Sequence, residues 1–232
     1  MMTERPVILF QFFDFFMSRK VRTYSKDEAL VKNRREHIIN CSIKLFLQKG
    51  YEETTTRELA DACGISKGAL YLYVGSKEDI LYLIIDRAAS GQVRVFEDIR
   101  NKVEHLSPTE ALRQSIRIYF QSVDNSQELY IFINHIIGKI PKSDRHILLD
   151  AQDRIVTFFE DLLRGGIKAR EFSTKDPQMV AFNILVLGAT WAIRRPFLKR
   201  RYSLEEYIAT QTEYIMGDVV TQKTLADIDT TI

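Results

Sequence analysis

Between Thr54 and Leu81 the chain reads TTTRELADACGISKGALYLYVGSKEDIL, and its side chains sort by what they can offer a nucleic acid. Lys67 is a cation able to donate to the acceptor edge of guanine. Ser66 and Gly68 keep the surface around it small and polar. Gly68 and Ala69 let a backbone approach closely, and Ala69 or Leu72 can meet a thymine methyl. Tyr71 and Tyr73 carry hydroxyls that reach phosphate oxygens, contacts that position a helix without reading sequence. Lys77 stands at the start of a further helix, where an ammonium beside free amides suits a phosphate. Thr55, Thr56 and Arg57 open the preceding helix, where backbone phosphates or an outlying guanine would lie.

The elements that must hold these groups are short and locally specified. Thr55 and Glu58 form a capping box, the threonine accepting from a first-turn amide while the glutamate reaches back. A helix to Ala62 or Cys63 follows, then the tight turn Gly64-Ile65-Ser66. Ser66 caps a third helix over 67–73. Two helices joined by a turn of about three or four residues containing glycine make a helix-turn-helix. Leu59, Ala60, Cys63, Ile65 and Leu70 are its inward positions. Before it, residues 33–49 place Ile38, Ile39, Ser42, Leu45 and Phe46 on one helical face, and Gly50 stops that helix. After it, Ser76-Lys77-Glu78-Asp79 caps a long fourth helix to about His105, with a break expected near Gly91.

Helical periodicity continues through the remainder and strand alternation is almost absent. Further helices are expected over 108–123, 126–140, 143–164, 177–195 with Pro196 closing it, and 204–216. The fold class is all-α, about nine helices: an N-terminal three-helix helix-turn-helix domain and a larger C-terminal helical domain. The expected division is an extension over 1–31, the DNA-binding domain over 32–80, the larger domain over 81–220 and a tail over 221–232.

Bulk numbers bound the function. The 232 residues are 45% hydrophobic and 28% charged with a net charge of +2. Locally, residues 17–76 hold 11 Lys/Arg and 7 Asp/Glu, a basic segment on a neutral protein. Its arm, Arg19, Lys20, Arg22, Lys26, Lys32, Arg34 and Arg35, is either a solvated tail or a contact to phosphates or a minor groove. The two cysteines, Cys41 and Cys63, have neither disulfide-framework nor metal spacing and read as small core residues of a reduced, cytoplasmic protein. His37, His105, His135 and His146 show no metal spacing, and no phosphate loop or nucleophile elbow occurs, so neither an enzyme nor a cofactor is expected. The apolar run VILFQFFDFFM over 7–17 is short against the roughly 20 residues of a membrane span, and stable membrane insertion is not expected. Residues 1–16 are read as a start assigned upstream of Met17, or as a small amphipathic helix seeking a partner surface.

The stretch from Arg34 to about Arg87 resembles the TetR family of repressors. The resemblance runs from Ile38-Ile39 to Leu45-Phe46, through Gly50-Tyr51 and Thr55-Thr56-Arg57-Glu58-Leu59-Ala60, to Gly64-Ile65-Ser66-Lys67-Gly68-Ala69-Leu70-Tyr71 and Ser76-Lys77-Glu78. It departs at Val74-Gly75, where many members carry Phe and a different small residue. It implies a repressor that binds a palindromic double-stranded DNA operator as a homodimer and is released by a small-molecule inducer. A transcriptional activator and a membrane-associated interaction protein are the alternatives.

The resemblance also implies that the last two helices pair with their copies. The residues agree: 179–193 reads MVAFNILVLGATWAI, apolar all round, with one face for its own core and another for a partner. Tyr119, Phe120, Phe132, His135, Phe159 and Trp191 are candidates to line a ligand pocket, against the alternative of an ordinary filled core. Trp191 is followed by Arg194, Arg195, Lys199, Arg200 and Arg201. This tract is either a solvated loop or a receiver of phosphates, with the tryptophan stacking on a purine. It resembles TetR-type regulators that sense acyl-CoA, which makes an acyl-CoA thioester the candidate inducer.

Overall fold

A computed structural model describes residues 21–24 and 26–220. The apolar run over 7–17, Arg19, Lys20 and the tail from 221 lie outside the described residues. Among the described residues there are nine helices: α1 Glu28–Lys49, α2 Thr56–Ala62, α3 Lys67–Tyr71, α4 Lys77–Val103, α5 Pro108–Asn125, α6 Gln127–Ile136, α7 Lys142–Lys168, α8 Pro177–Leu198 and α9 Leu204–Val219. None of them is long and apolar enough to cross a membrane. The architecture is all-α.

Several boundaries differ from the periodicity, for local reasons. α1 begins earlier than residue 33 because Asp27 accepts the Leu30 amide at 3.0 Å. α4 passes through Gly91 unbroken, a cost of glycine that neighbouring helical hydrogen bonds absorb. α8 likewise runs past Pro196 to Leu198, so the proline lies inside its last turn.

The chain divides into two compact units, with α4 supplying its beginning to one and the rest to the other. The first unit holds the described residues up to Ala88 together with His135–Ile147. Its core is Ile38, Ile39, Ile43 and Phe46 of α1, Leu59 and Ala60 of α2, Leu70 of α3, and Ile80, Ile84 and Ile85 of α4, all buried. Gly50 ends α1 with φ +98°, a region only glycine enters freely, and its amide returns to the Phe46 carbonyl at 2.9 Å.

The second unit holds Ala89–Asn134 and the described residues from Leu148 onward. α5 is its central helix, burying Leu112, Ser115, Ile116, Tyr119, Phe120 and Val123. α8 packs on α5 through Gly188, where an added Cβ would lie 2.7 Å from Tyr119 Cε1. Glycine is therefore required there by the close approach. α8 buries Ala181, Ile184, Gly188, Trp191 and Ala192. Its other side leaves Met179, Phe182 and Val186 exposed at 53%, 49% and 40%. α9 turns Tyr207, Ile208 and Ile215 into its own core and leaves Tyr214 exposed.

Candidate nucleic-acid interface and sensing cluster

The capping box expected at α2 forms. The Thr55 hydroxyl accepts the Glu58 amide at 3.3 Å, and Glu58 accepts the Thr55 amide at 2.9 Å and its hydroxyl at 2.8 Å. Lys49 adds an ion pair to the same carboxylate. The Lys49 hydrogen bond, with those from Thr55, holds the Glu58 carboxyl down at about 2. The Gly64 amide reaches the Asp61 carbonyl at 3.0 Å with φ +65°, closing the turn. Ser66 caps α3 by accepting the Ala69 amide at 3.1 Å.

These elements bring most of the candidate DNA contacts onto one surface. Ser66, Lys67, Gly68 and Leu72 are exposed, and Ala69, Tyr71 and Tyr73 are half-buried. The Tyr71 hydroxyl lies 3.4 Å from Thr56 Oγ1, which places the start of α2 beside α3. Arg57 is exposed next to it. A Cβ at Gly68 would meet only Ser66 Oγ at 3.9 Å, so internal packing does not demand glycine there. What a side chain at that position would obstruct is an external surface.

Two candidates have different work. Lys77 donates to the carbonyls of Tyr51 at 2.9 Å, Thr54 at 3.1 Å and Glu52 at 3.3 Å, and its ammonium lies 4.5 Å from the Tyr51 ring centre. With its donors turned inward, it ties α4 to the loop before α2 and does not present a free ammonium to phosphate. Thr55 is similarly engaged, its hydroxyl both donating and accepting within the capping box.

The basic arm also divides. Arg35 Nε donates to the Tyr73 carbonyl at 3.0 Å, and Nη2 to those of Val21 at 2.8 Å and Arg22 at 3.4 Å. Thr23 Oγ1 and the Tyr24 amide both donate to the Leu72 carbonyl at 3.0 Å. The last carbonyls after α3 are thus satisfied by α1 and by the segment 21–24. Desolvation lowers the Arg35 pKa from its ordinary value, opposed by the charge of Asp79. Its type was legible as basic, but its role depends on partners up to 38 residues away. Arg22, Lys26, Lys32 and Arg34 remain exposed.

In the second unit, Tyr119, Phe120, Phe132, Phe159 and Trp191 are buried. Tyr119 contacts Phe96, Phe120 and Phe159 ring to ring, and Phe96 contacts Phe158. Trp191 is 2% exposed, packs on Tyr207 at 5.0 Å between ring centres, and donates to Asp124 Oδ1 at 2.8 Å. Buried in this way, it does not offer a face to a purine at the surface. Arg195 turns inward to the same Asp124 oxygen at 3.1 Å and to Gln127, and its Nε is buried without a partner. Arg194, Lys199, Arg200 and Arg201 are exposed. His135 is exposed and belongs to the first unit, so it does not join the aromatic cluster. Burial pushes the Tyr207 hydroxyl up to about 12, while it donates to the Leu187 carbonyl at 2.8 Å.

Residues 38–82 match the family pattern described as "Bacterial regulatory proteins, tetR family", and residues 105–192 that described as "Tetracyclin repressor-like, C-terminal domain". The HTH-type transcriptional regulator HbdR of Aromatoleum sp. (strain CIB) is 26% identical over 197 residues, spanning 84% of each chain. The structure of AibR in complex with isovaleryl coenzyme A and operator DNA is similar with a TM-score of 0.65 at 23% identity, covering 78% of this chain and 97% of that one. FadR from Bacillus subtilis in complex with stearoyl-CoA is similar with a TM-score of 0.61 at 20% identity, covering 78% and 96%. At these identities the two structures speak to the fold alone. The two matched patterns take in both compact units, and the chain belongs to the tetR family of bacterial DNA-binding transcriptional regulators, which are not enzymes.

Proposed function

We propose that this regulator is a repressor that binds a palindromic operator as a homodimer, with α3 in the major groove, and is released by an acyl-CoA thioester. The observation that carries the DNA reading is the open space beside Gly68, next to exposed Ser66 and Lys67, on a helix that turns Leu70 into the core. Lys67 is the base reader. Gly68 and Ala69 permit close approach. Thr56, Arg57, Tyr71 and Tyr73 contact the backbone, and Ser66 and Leu72 border the reading surface. Thr55 and Lys77 act as positioning residues. The exposed stripe Met179, Phe182 and Val186 on α8 is the surface offered to a second copy, since paired half-sites need paired recognition helices.

The acyl-CoA reading rests on two supports. Arg194 in the last turns of α8, with Lys199, Arg200 and Arg201 just after it, forms an exposed cationic end suited to phosphates, on a helix whose buried face joins the aromatic core. Two regulators sharing this fold were solved with CoA thioesters, one with a short branched acyl group and one with a long straight one. Selection of bound fragments from a random DNA pool, followed by titration of the complex with CoA thioesters of graded chain length, tests both parts. An enriched inverted repeat released by one length class is expected. No enrichment contradicts the DNA assignment, and an enriched site that no thioester releases contradicts the inducer.

A further inference from the structure

The segment 21–24, ahead of α1, is bonded to the C-terminal end of α3. The Tyr24 amide and the Thr23 hydroxyl each donate to the Leu72 carbonyl at 3.0 Å. Arg35 of α1 ties the segment from its other end, with Nε donating to the Tyr73 carbonyl at 3.0 Å and Nη2 to the Val21 carbonyl at 2.8 Å. One guanidinium thus joins α1, the end of α3 and the incoming chain. Side chains alternate along the segment. Val21 is buried and Thr23 turns its hydroxyl to α3, while Arg22 and Tyr24 are exposed. Two residues apart in such an alternation, they share a face, and the Arg22 guanidinium lies 4.6 Å from the Tyr24 ring centre. None of the ion pairs among the described residues involves Arg22.

Satisfying the carbonyls after α3 accounts for Thr23, the Tyr24 amide and Arg35. It does not account for the Arg22 side chain, which bonds to none of them. Its place relative to the reading surface does. A helix rises about 1.5 Å per residue, so Leu72 lies roughly 7–8 Å along α3 from Lys67. The major groove is about 12 Å wide. With the Lys67 end at the base edges, the Leu72 end lies at the rim of the groove, where the sugar-phosphate backbone runs. A planar guanidinium presents paired donors that match phosphate oxygens. Stacking on Tyr24 holds it in one orientation before DNA arrives.

We infer that Arg22 is a further phosphate contact, carried on a brace that Arg35 fixes to the end of α3, so that one phosphate beside each half-site is held from outside the helix-turn-helix. This rests on the DNA reading above and extends its interface to the chain ahead of α1. Arg35 is a positioning residue, since its donors are spent on backbone carbonyls of the brace and of α3. A phosphate contact carries no base information. Arg22 therefore adds affinity and fixes the orientation of α3 without changing which bases are read.

The test uses the full-length protein, the variants Arg22→Gln, Arg22→Lys and Arg35→Gln, and the duplex that the wild type enriches from a random pool. Binding is titrated at graded salt. A dimer carries two copies of Arg22, so Arg22→Gln is expected to reduce the logarithmic salt slope by about 2, at roughly 0.9 for each phosphate. Affinity near 0.1 M salt is expected to fall on the order of tenfold or more, with base preferences and melting temperature as in the wild type. Arg22→Lys keeps the slope, because it keeps the charge. Arg35→Gln lowers both the slope and the melting temperature, because it frees the brace. Ethylation interference on the same duplex places the contact: one phosphate on each side of the repeat stops interfering in Arg22→Gln. An unchanged slope or an unchanged interference pattern in Arg22→Gln, or a slope that falls equally in Arg22→Lys, overturns the inference and leaves the segment 21–24 as a brace for α3 only. A wild type that enriches no sequence overturns the DNA reading, and this contact with it.

Discussion

Lys77 reaches back 26 residues to donate to the Tyr51 carbonyl at 2.9 Å, with its ammonium over the Tyr51 ring. The bond fixes the start of α4 against the loop that leads into α2. Lys77→Met should therefore lower stability by about 1–3 kcal/mol, as expected for losing charge-assisted hydrogen bonds to backbone carbonyls. The logarithmic salt slope of DNA binding should stay as in the wild type, because no phosphate contact is removed. Thermal unfolding and binding at graded salt check both halves. A slope reduced by about one unit would return Lys77 to the phosphate contacts.

Gly68 separates folding from binding. Gly68→Ala should raise or preserve stability, by up to about 1 kcal/mol, because alanine is the better helix former and the added Cβ meets nothing closer than 3.9 Å. Its affinity for selected DNA should nevertheless fall. Melting temperature and dissociation constant measured on one preparation suffice, and unchanged affinity would remove Gly68 from the reading surface.

Gly188 is the opposite case. A Cβ there would lie 2.7 Å from the Tyr119 ring, which is walled in by Phe96, Phe120 and Phe159. Gly188→Ala should destabilise by about 1–3 kcal/mol through overpacking. Urea unfolding with an unchanged slope and a lower midpoint is the expected outcome.

Glu58 sets an acid limit on the α2 cap. Its carboxyl is held at about 2, against a usual value of 4.5, by Lys49 and Thr55. A depressed folded value means the contribution is fully present above the unfolded value and disappears as pH falls from there toward about 2. Wild type and Glu58→Gln should differ in melting temperature at neutral pH and converge across that acid window. Parallel curves down to pH 2 would contradict the cap's ionic character.

The outward stripe of α8 predicts an assembly. Phe182→Asp should dissociate the dimer in analytical ultracentrifugation while leaving the helical circular dichroism of each chain intact. A wild-type protein that sediments as a monomer at micromolar concentration would remove the stripe as a self-association surface.

Legibility in the sequence followed distance along the chain. The caps at Thr55 and Ser66 were readable because donor and acceptor lie three residues apart. The helix-turn-helix followed from them, since its turn and its inward positions are equally local. Arg35 and Lys77 could be recognised by type but not by role, because their partners lie in other segments of the chain, 13 to 38 residues away for Arg35 and 23 to 26 for Lys77. Trp191 and Arg195 misled for a related reason. Their neighbours in sequence suggested a surface site, whereas Asp124, 67 residues away from Trp191, draws both inward. His135 carried no local signal to separate an exposed position from an aromatic one.

The central claim, that α3 reads DNA through Lys67, is tested most directly by selecting binding sites from a random pool with the wild type and with Lys67→Ala. The account predicts an inverted repeat for the wild type. With Lys67→Ala it predicts relaxed preference at one position in each half-site, and a discrimination loss of about 1–3 kcal/mol there. No enriched sequence, or a variant that keeps every base preference while binding all sequences more weakly, would contradict it.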